Sequence, residues 1–137
     1  MDFRSEAEID HFLSWFDSGA LPRYCWTHAA HIAMATARLY NEPGDSTDRI
    51  RHGIQRYNHS QGIETTPTSG YHETLTLFWI ETVREHLRST APQTRLAAVR
   101  GAVKVFGLMS DLPKKRYTFD VFQSTEARAR WIPPDRD

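Results

Sequence analysis

Along residues 5–17, apolar side chains recur at Ile9, Phe12, Leu13 and Phe16, the spacing of one face of a helix. Ser5 is placed to cap it, and Gly19 and Pro22 end it. Thr27 has the character of a second cap, opening a helix that runs to about Tyr40 and stops at Asn-Glu-Pro-Gly-Asp. A third helix begins near Ser46, carries Ile50, Ile54 and Tyr57 on one stripe, and ends by Gly62. The stretch Ile-Glu-Thr-Thr-Pro-Thr-Ser-Gly reads as a loop. A fourth helix follows, from near Ser69 to about Arg88. Its apolar residues (Leu75, Leu77, Phe78, Trp79, Ile80, Val83) lie on more than one side, which predicts a place at the centre of the fold. A fifth spans Thr94 to about Phe106, with Leu96, Val99, Val103 and Phe106 in register.

After Pro113 the periodicity weakens. Residues 124–131 predict one short turn of helix, and Arg-Tyr-Thr-Phe-Asp-Val-Phe alternates like a strand but has no partner. The expected architecture is therefore all-α: a single-domain bundle of four or five helices over residues 1–137, less regular from 113 to 137.

Composition narrows the function classes. Of 137 residues, 39% are hydrophobic and 25% charged, and the formal net charge is zero. Nucleic-acid binding needs clustered basic charge, and the run Lys114-Lys115-Arg116 is too short to supply it. No apolar run has the length to span a bilayer, and the acidic, polar N-terminus is unlike a secretory signal. One cysteine, Cys25, excludes an internal disulfide and fits a reducing, cytoplasmic setting. A homo-oligomer is left open. No Gly-rich phosphate loop, dinucleotide fingerprint or Gly-x-Ser-x-Gly elbow occurs, so no nucleotide cofactor is indicated.

Candidate chemistry comes from counting helix directions. If consecutive helices run antiparallel, the second and fourth start at the end of the bundle where the first and third finish. That end would gather His28 and His31, His72 and Glu73, and Tyr57 and Asn58. His28 and His31, three apart, can reach one point. A helix N-terminus disfavours the imidazolium form, and neutral imidazole is what a metal takes. His72 and Glu73 are about 100° apart around the axis, so one would bind and the other would orient a ligand or hold a water. His28, His31 and His72 are thus candidate ligands for a divalent transition metal (zinc, iron or nickel), with Glu73 as catalytic base or further ligand. Trp26, Tyr57 and Asn58 are candidate contacts for a small-molecule substrate. Cys25 could add a thiolate. A metal-free polar pocket and a purely structural His/Glu group are the competing expectations.

The segments Trp-Thr-His-Ala-Ala-His-Ile-Ala-Met-Ala-Thr-Ala-Arg-Leu-Tyr (26–40), Gly-Tyr-His-Glu-Thr-Leu-Thr-Leu-Phe-Trp-Ile (70–80) and the stretch from Tyr117 to Asp135 carry a likeness. Together they resemble a family of short, mostly uncharacterised bacterial proteins. Its members pair an aromatic-x-His-x-x-His helix start with Tyr-His-Glu-Thr-(Leu/Ile)-Thr and close on Ser-x-Glu-Ala-Arg and Pro-Asp. The resemblance implies functional roles for His28, His31, His72 and Glu73, with Glu126 and Arg128 as additions. It transfers no reaction. Residues 124–128 could equally form a capped helix tucked against the bundle. The resulting expectation is a small metal-binding enzyme acting on a small molecule, or else a non-catalytic binding module.

Overall fold

Four of the six helices start at a hydroxyl side chain that accepts from the backbone N–H three residues on. Ser5 does this for α1 (Glu6–Ser18), Thr27 for α2 (His28–Asn41), Thr94 for α5 (Arg95–Phe106) and Ser124 for α6 (Thr125–Ala129). The remaining helices are α3 (Ser46–Ser60) and α4 (Glu73–Thr90). Short 3-10 turns lie at Arg23–Cys25 and Leu112–Lys115. This computed structural model describes residues 1–44 and 46–137. Within the Asn-Glu-Pro-Gly-Asp stop, Asp45 lies outside the described residues.

The fold is an all-α single domain, with no strand among the described residues. The alternating segment 116–122 forms turns instead, and sends Tyr117 and Val121 into a core. No helix among the described residues is long and apolar enough to cross a membrane.

The centre belongs to α2. Every residue from Ile32 to Leu39 is buried, and its alanines let α5 pack closely along it. This corrects the expectation that α4 is central. α4 is apolar on several sides because it stands between two cores. Its Ile80 and Val83 join the main core with Phe12, Ile32 and Val99. Its Phe78 joins a smaller cluster made by the C-terminal segment: Tyr117, Val121 and Ala127. Burying Phe78 in this way is worth about 2–3 kcal/mol.

α4 also starts later than its pattern suggests. Ser69 does not cap it. Thr66 and Ser69 instead pair across a tight turn, and Gly70 follows with φ +82°. A side chain at Gly70 would run into the Glu64 carbonyl. The cap is His72, whose Nδ1 accepts from Leu75 N at 3.1 Å.

Candidate functional site

His28 and His31 stand in the first turn of α2, which Thr27 fixes by accepting from Ala30 N at 3.2 Å. The His28 Nε2–H donates to the Phe106 carbonyl at 3.0 Å, and its ring meets Trp79 edge-on with centroids 4.7 Å apart. The His31 Nδ1–H donates to the Thr27 carbonyl at 2.8 Å, and its ring lies 3.8 Å from that of Trp26. A carbonyl can only accept, so each of these nitrogens carries the proton of a neutral ring. The opposite nitrogens, His28 Nδ1 and His31 Nε2, are left with bare lone pairs. Burial lowers the pKa of both rings. The carbonyl contact partly offsets this at His28, while His31 falls to about 4. Both imidazoles are neutral at pH 7.

His72 is spent differently. While its Nδ1 caps α4, its Nε2–H donates to the Val121 carbonyl at 2.9 Å. Neither nitrogen has a lone pair left for a metal. Burial again lowers its pKa, and the Val121 contact opposes that shift. Two residues on, Thr74 Oγ1 donates to the Arg130 carbonyl at 2.7 Å and accepts from Ile132 N at 3.0 Å. The start of α4 thus holds the C-terminal segment in place.

Glu73 faces α3 instead. Its carboxylate takes both arms of the Arg51 guanidinium, at 3.0 and 2.6 Å, and the Tyr71 hydroxyl at 2.6 Å. Burial pushes the Glu73 carboxyl up, but the Arg51 fork and Tyr71 outweigh it and hold the carboxyl below its usual value. Burial first, then the bond to Glu73, pushes the Tyr71 phenol up to about 12.

The three imidazoles expected at one point share a lining and no more. His28, His31 and His72 all line one chamber of about 310 Å³, with Met34, Ile50, Ile54 and Trp79 as apolar wall. Glu73 does not join them; it lines a separate polar cleft of about 840 Å³ with Arg51, Asn58 and Arg128. Tyr71 borders both spaces. The four-residue site must therefore be corrected: it divides into a histidine pair with open nitrogens, a capping His72 and an ion-paired Glu73. Among the described residues no group of three or more His, Cys, Asp or Glu is gathered closely enough to hold a metal ion.

The proposed substrate contacts also part company. Asn58 reaches the polar cleft. Tyr57 is fully buried, donates to the Leu21 carbonyl at 2.8 Å, stacks on Phe16 and meets Trp26 at a tilt. Trp26 stacks on Phe16 and backs His31, so it supports the chamber without lining it. Cys25 is half-buried in a groove against α1 and does not line the chamber of His28, His31 and His72. Glu126 pairs with Arg130, and Arg128 donates to the Gly70 carbonyl at 2.8 Å.

Sequence reasoning missed Arg51, Gln55 and Tyr71. Arg51, Gln55 and Asn58 are spaced i, i+4, i+7, so a polar stripe beside the apolar one on α3 was the available signal. Tyr71 opens the Tyr-His-Glu-Thr motif, and that was its signal, but an aromatic in a loop has no periodicity to give it a direction.

Comparison with known proteins adds no further constraint: no protein-family model, no curated protein and no solved structure matches the chain.

Proposed function

We propose that the protein binds a small, uncharged, mostly apolar molecule in the histidine chamber, and that His28 Nδ1 and His31 Nε2 accept hydrogen bonds from it. The observation that carries this reading is the pair of unprotonated nitrogens with no partner among the described residues. No fully enclosed side-chain nitrogen or oxygen among the described residues lacks a hydrogen bond. Two unpartnered nitrogens must therefore open onto accessible space, and both of their residues line the chamber. Its volume of about 310 Å³ lies at the lower end of ligand pockets, which span about 300–1,000 Å³. Binding suits these rings better than proton abstraction. An imidazole whose pKa falls to about 4, as at His31, is a weak base at neutral pH. A reducing, cytoplasmic setting belongs to the same reading.

Titration with phenol, benzyl alcohol and toluene, followed by amide NMR shifts, tests it. Saturable shifts at residues 28–35 and 72–80 are expected, stronger for the two donors than for toluene. His28→Phe should erase that preference. Absence of saturable binding by all three compounds rejects the proposal.

One observation favours a second reading. Two neutral imidazoles with free lone pairs are also what zinc, ferrous iron or nickel takes, with solvent or substrate filling the other positions. Protein purified without a nickel column would then take up metal on titration and lose that uptake in His31→Ala. No uptake of any of the three metals removes this reading.

A further inference from the structure

We propose that the polar cleft between α3, the 62–71 loop and α6 is a second binding site, for a small organic monocarboxylate that also carries a neutral hydrogen-bonding group. Two observations carry it, and neither involves the histidine chamber.

The first is Arg128. Its guanidinium is half-buried and bonded only to carbonyls, through Nη1 to Gly70 O at 2.8 Å and Nη2 to Phe122 O at 3.4 Å. Among the described residues no carboxylate comes within ion-pairing distance of it. Arg51, which lines the same cleft, is neutralised by Glu73. Glu64, the remaining carboxylate of the lining, is exposed and screened by solvent. The cleft therefore holds one uncompensated cation, fixed by two carbonyls and with three N–H donors to spare. Its planar fork matches a carboxylate, and its single charge matches a monoanion.

The second is Asn58, only 9% exposed and lining the same cleft. Its side-chain amide has no hydrogen-bond partner among the described residues, although almost every buried amide finds one. Enclosed polar atoms without partners are absent among the described residues, so the Asn58 amide faces the cleft opening. An amide offers a donor and an acceptor together, which selects a neutral group such as an amide or hydroxyl beside the carboxylate.

N-acetylglycine carries both groups, N-acetylglycinamide lacks the charge, and benzoate lacks the amide. Titrating each into the intact protein, followed by amide NMR, is the test. N-acetylglycine is expected to give saturable shifts at residues 55–65, 70–71 and 128. The uncharged amide should bind about 10- to 100-fold more weakly, the effect of losing a charge-assisted hydrogen bond. Benzoate should fall between them. Arg128→Gln should abolish discrimination by charge. Because Arg128 also braces Gly70, Asn58→Asp is the second variant: its side chain has no partner to lose, so the fold persists while the new carboxylate repels the ligand. Equal affinity for N-acetylglycine and its amide, no saturation with either carboxylate, or unchanged binding in Asn58→Asp overturns the proposal. Shifts confined to the histidine chamber overturn it as well and leave the proposed function standing.

Discussion

The first turns of α2 and α4 both bring histidines to the same chamber, yet they use them in opposite ways. At α4, His72 commits both nitrogens, one to the helix start and one to the Val121 carbonyl. At α2, a threonine does the capping, so His28 and His31 each need one nitrogen for anchorage and keep the other. Residue type does not decide whether an imidazole is structural or available; the division of labour with the cap does. A histidine that must cap cannot also receive.

The largest break in this comparison is expected from His72→Ala. It removes a cap worth about 1 kcal/mol and strands a buried carbonyl at about 1–3 kcal/mol, for a total loss of about 2–4 kcal/mol in urea titration. Glu73→Ala comes next. Arg51 and Glu73 have side chains only 27% and 16% exposed, so leaving Arg51 without its partner should cost about 1–3 kcal/mol. His28→Ala should cost about 1 kcal/mol, because a single carbonyl contact is lost and solvent can reach the site. A His28→Ala loss as large as that of His72→Ala would refute the distinction between the two turns.

A change of pH sharpens the contrast without any substitution. The unfolded chain protonates its histidines near their ordinary pKa of about 6.5, whereas His28, His31 and His72 are held lower in the fold. The unfolded state thus binds more protons just below that pH, so stability is complete above about 6.5 and lost as pH falls through the folded values, about 4 for His31. Thermal melts at pH 7.5, 6 and 5 check it: a flat profile would contradict the burial of all three rings. Removing His31 should flatten the slope without lowering stability at pH 7.5 as far as removal of His72 does.

The helices were legible because their caps are ordinary. Ser5, Thr27, Thr94 and Ser124 each do what a hydroxyl before an apolar stripe does. That the starts of α2 and α4 lie at one end of the bundle, with His28, His31 and His72 along one chamber, is what helix direction alone predicts. The start of α4 was not legible, because histidine is an uncommon cap and Ser69 is a more usual one. The central place of α2 was hidden by its alanines, which score as weakly apolar but allow the closest helix approach. The fate of each ring nitrogen was out of reach, since the Phe106 and Val121 carbonyls arrive from a helix end and a turn. Backbone acceptors leave no mark on side-chain pattern. Arg128 shows the same: its likeness-based role gave no hint that no carboxylate among the described residues answers its charge.

The position of α4 between two cores has a consequence for damage to the C-terminal segment. Phe78 is covered only by Tyr117, Val121 and their neighbours, so local detachment of residues 117–127 would bare an apolar patch on α4 while the main core around α2 kept its own packing.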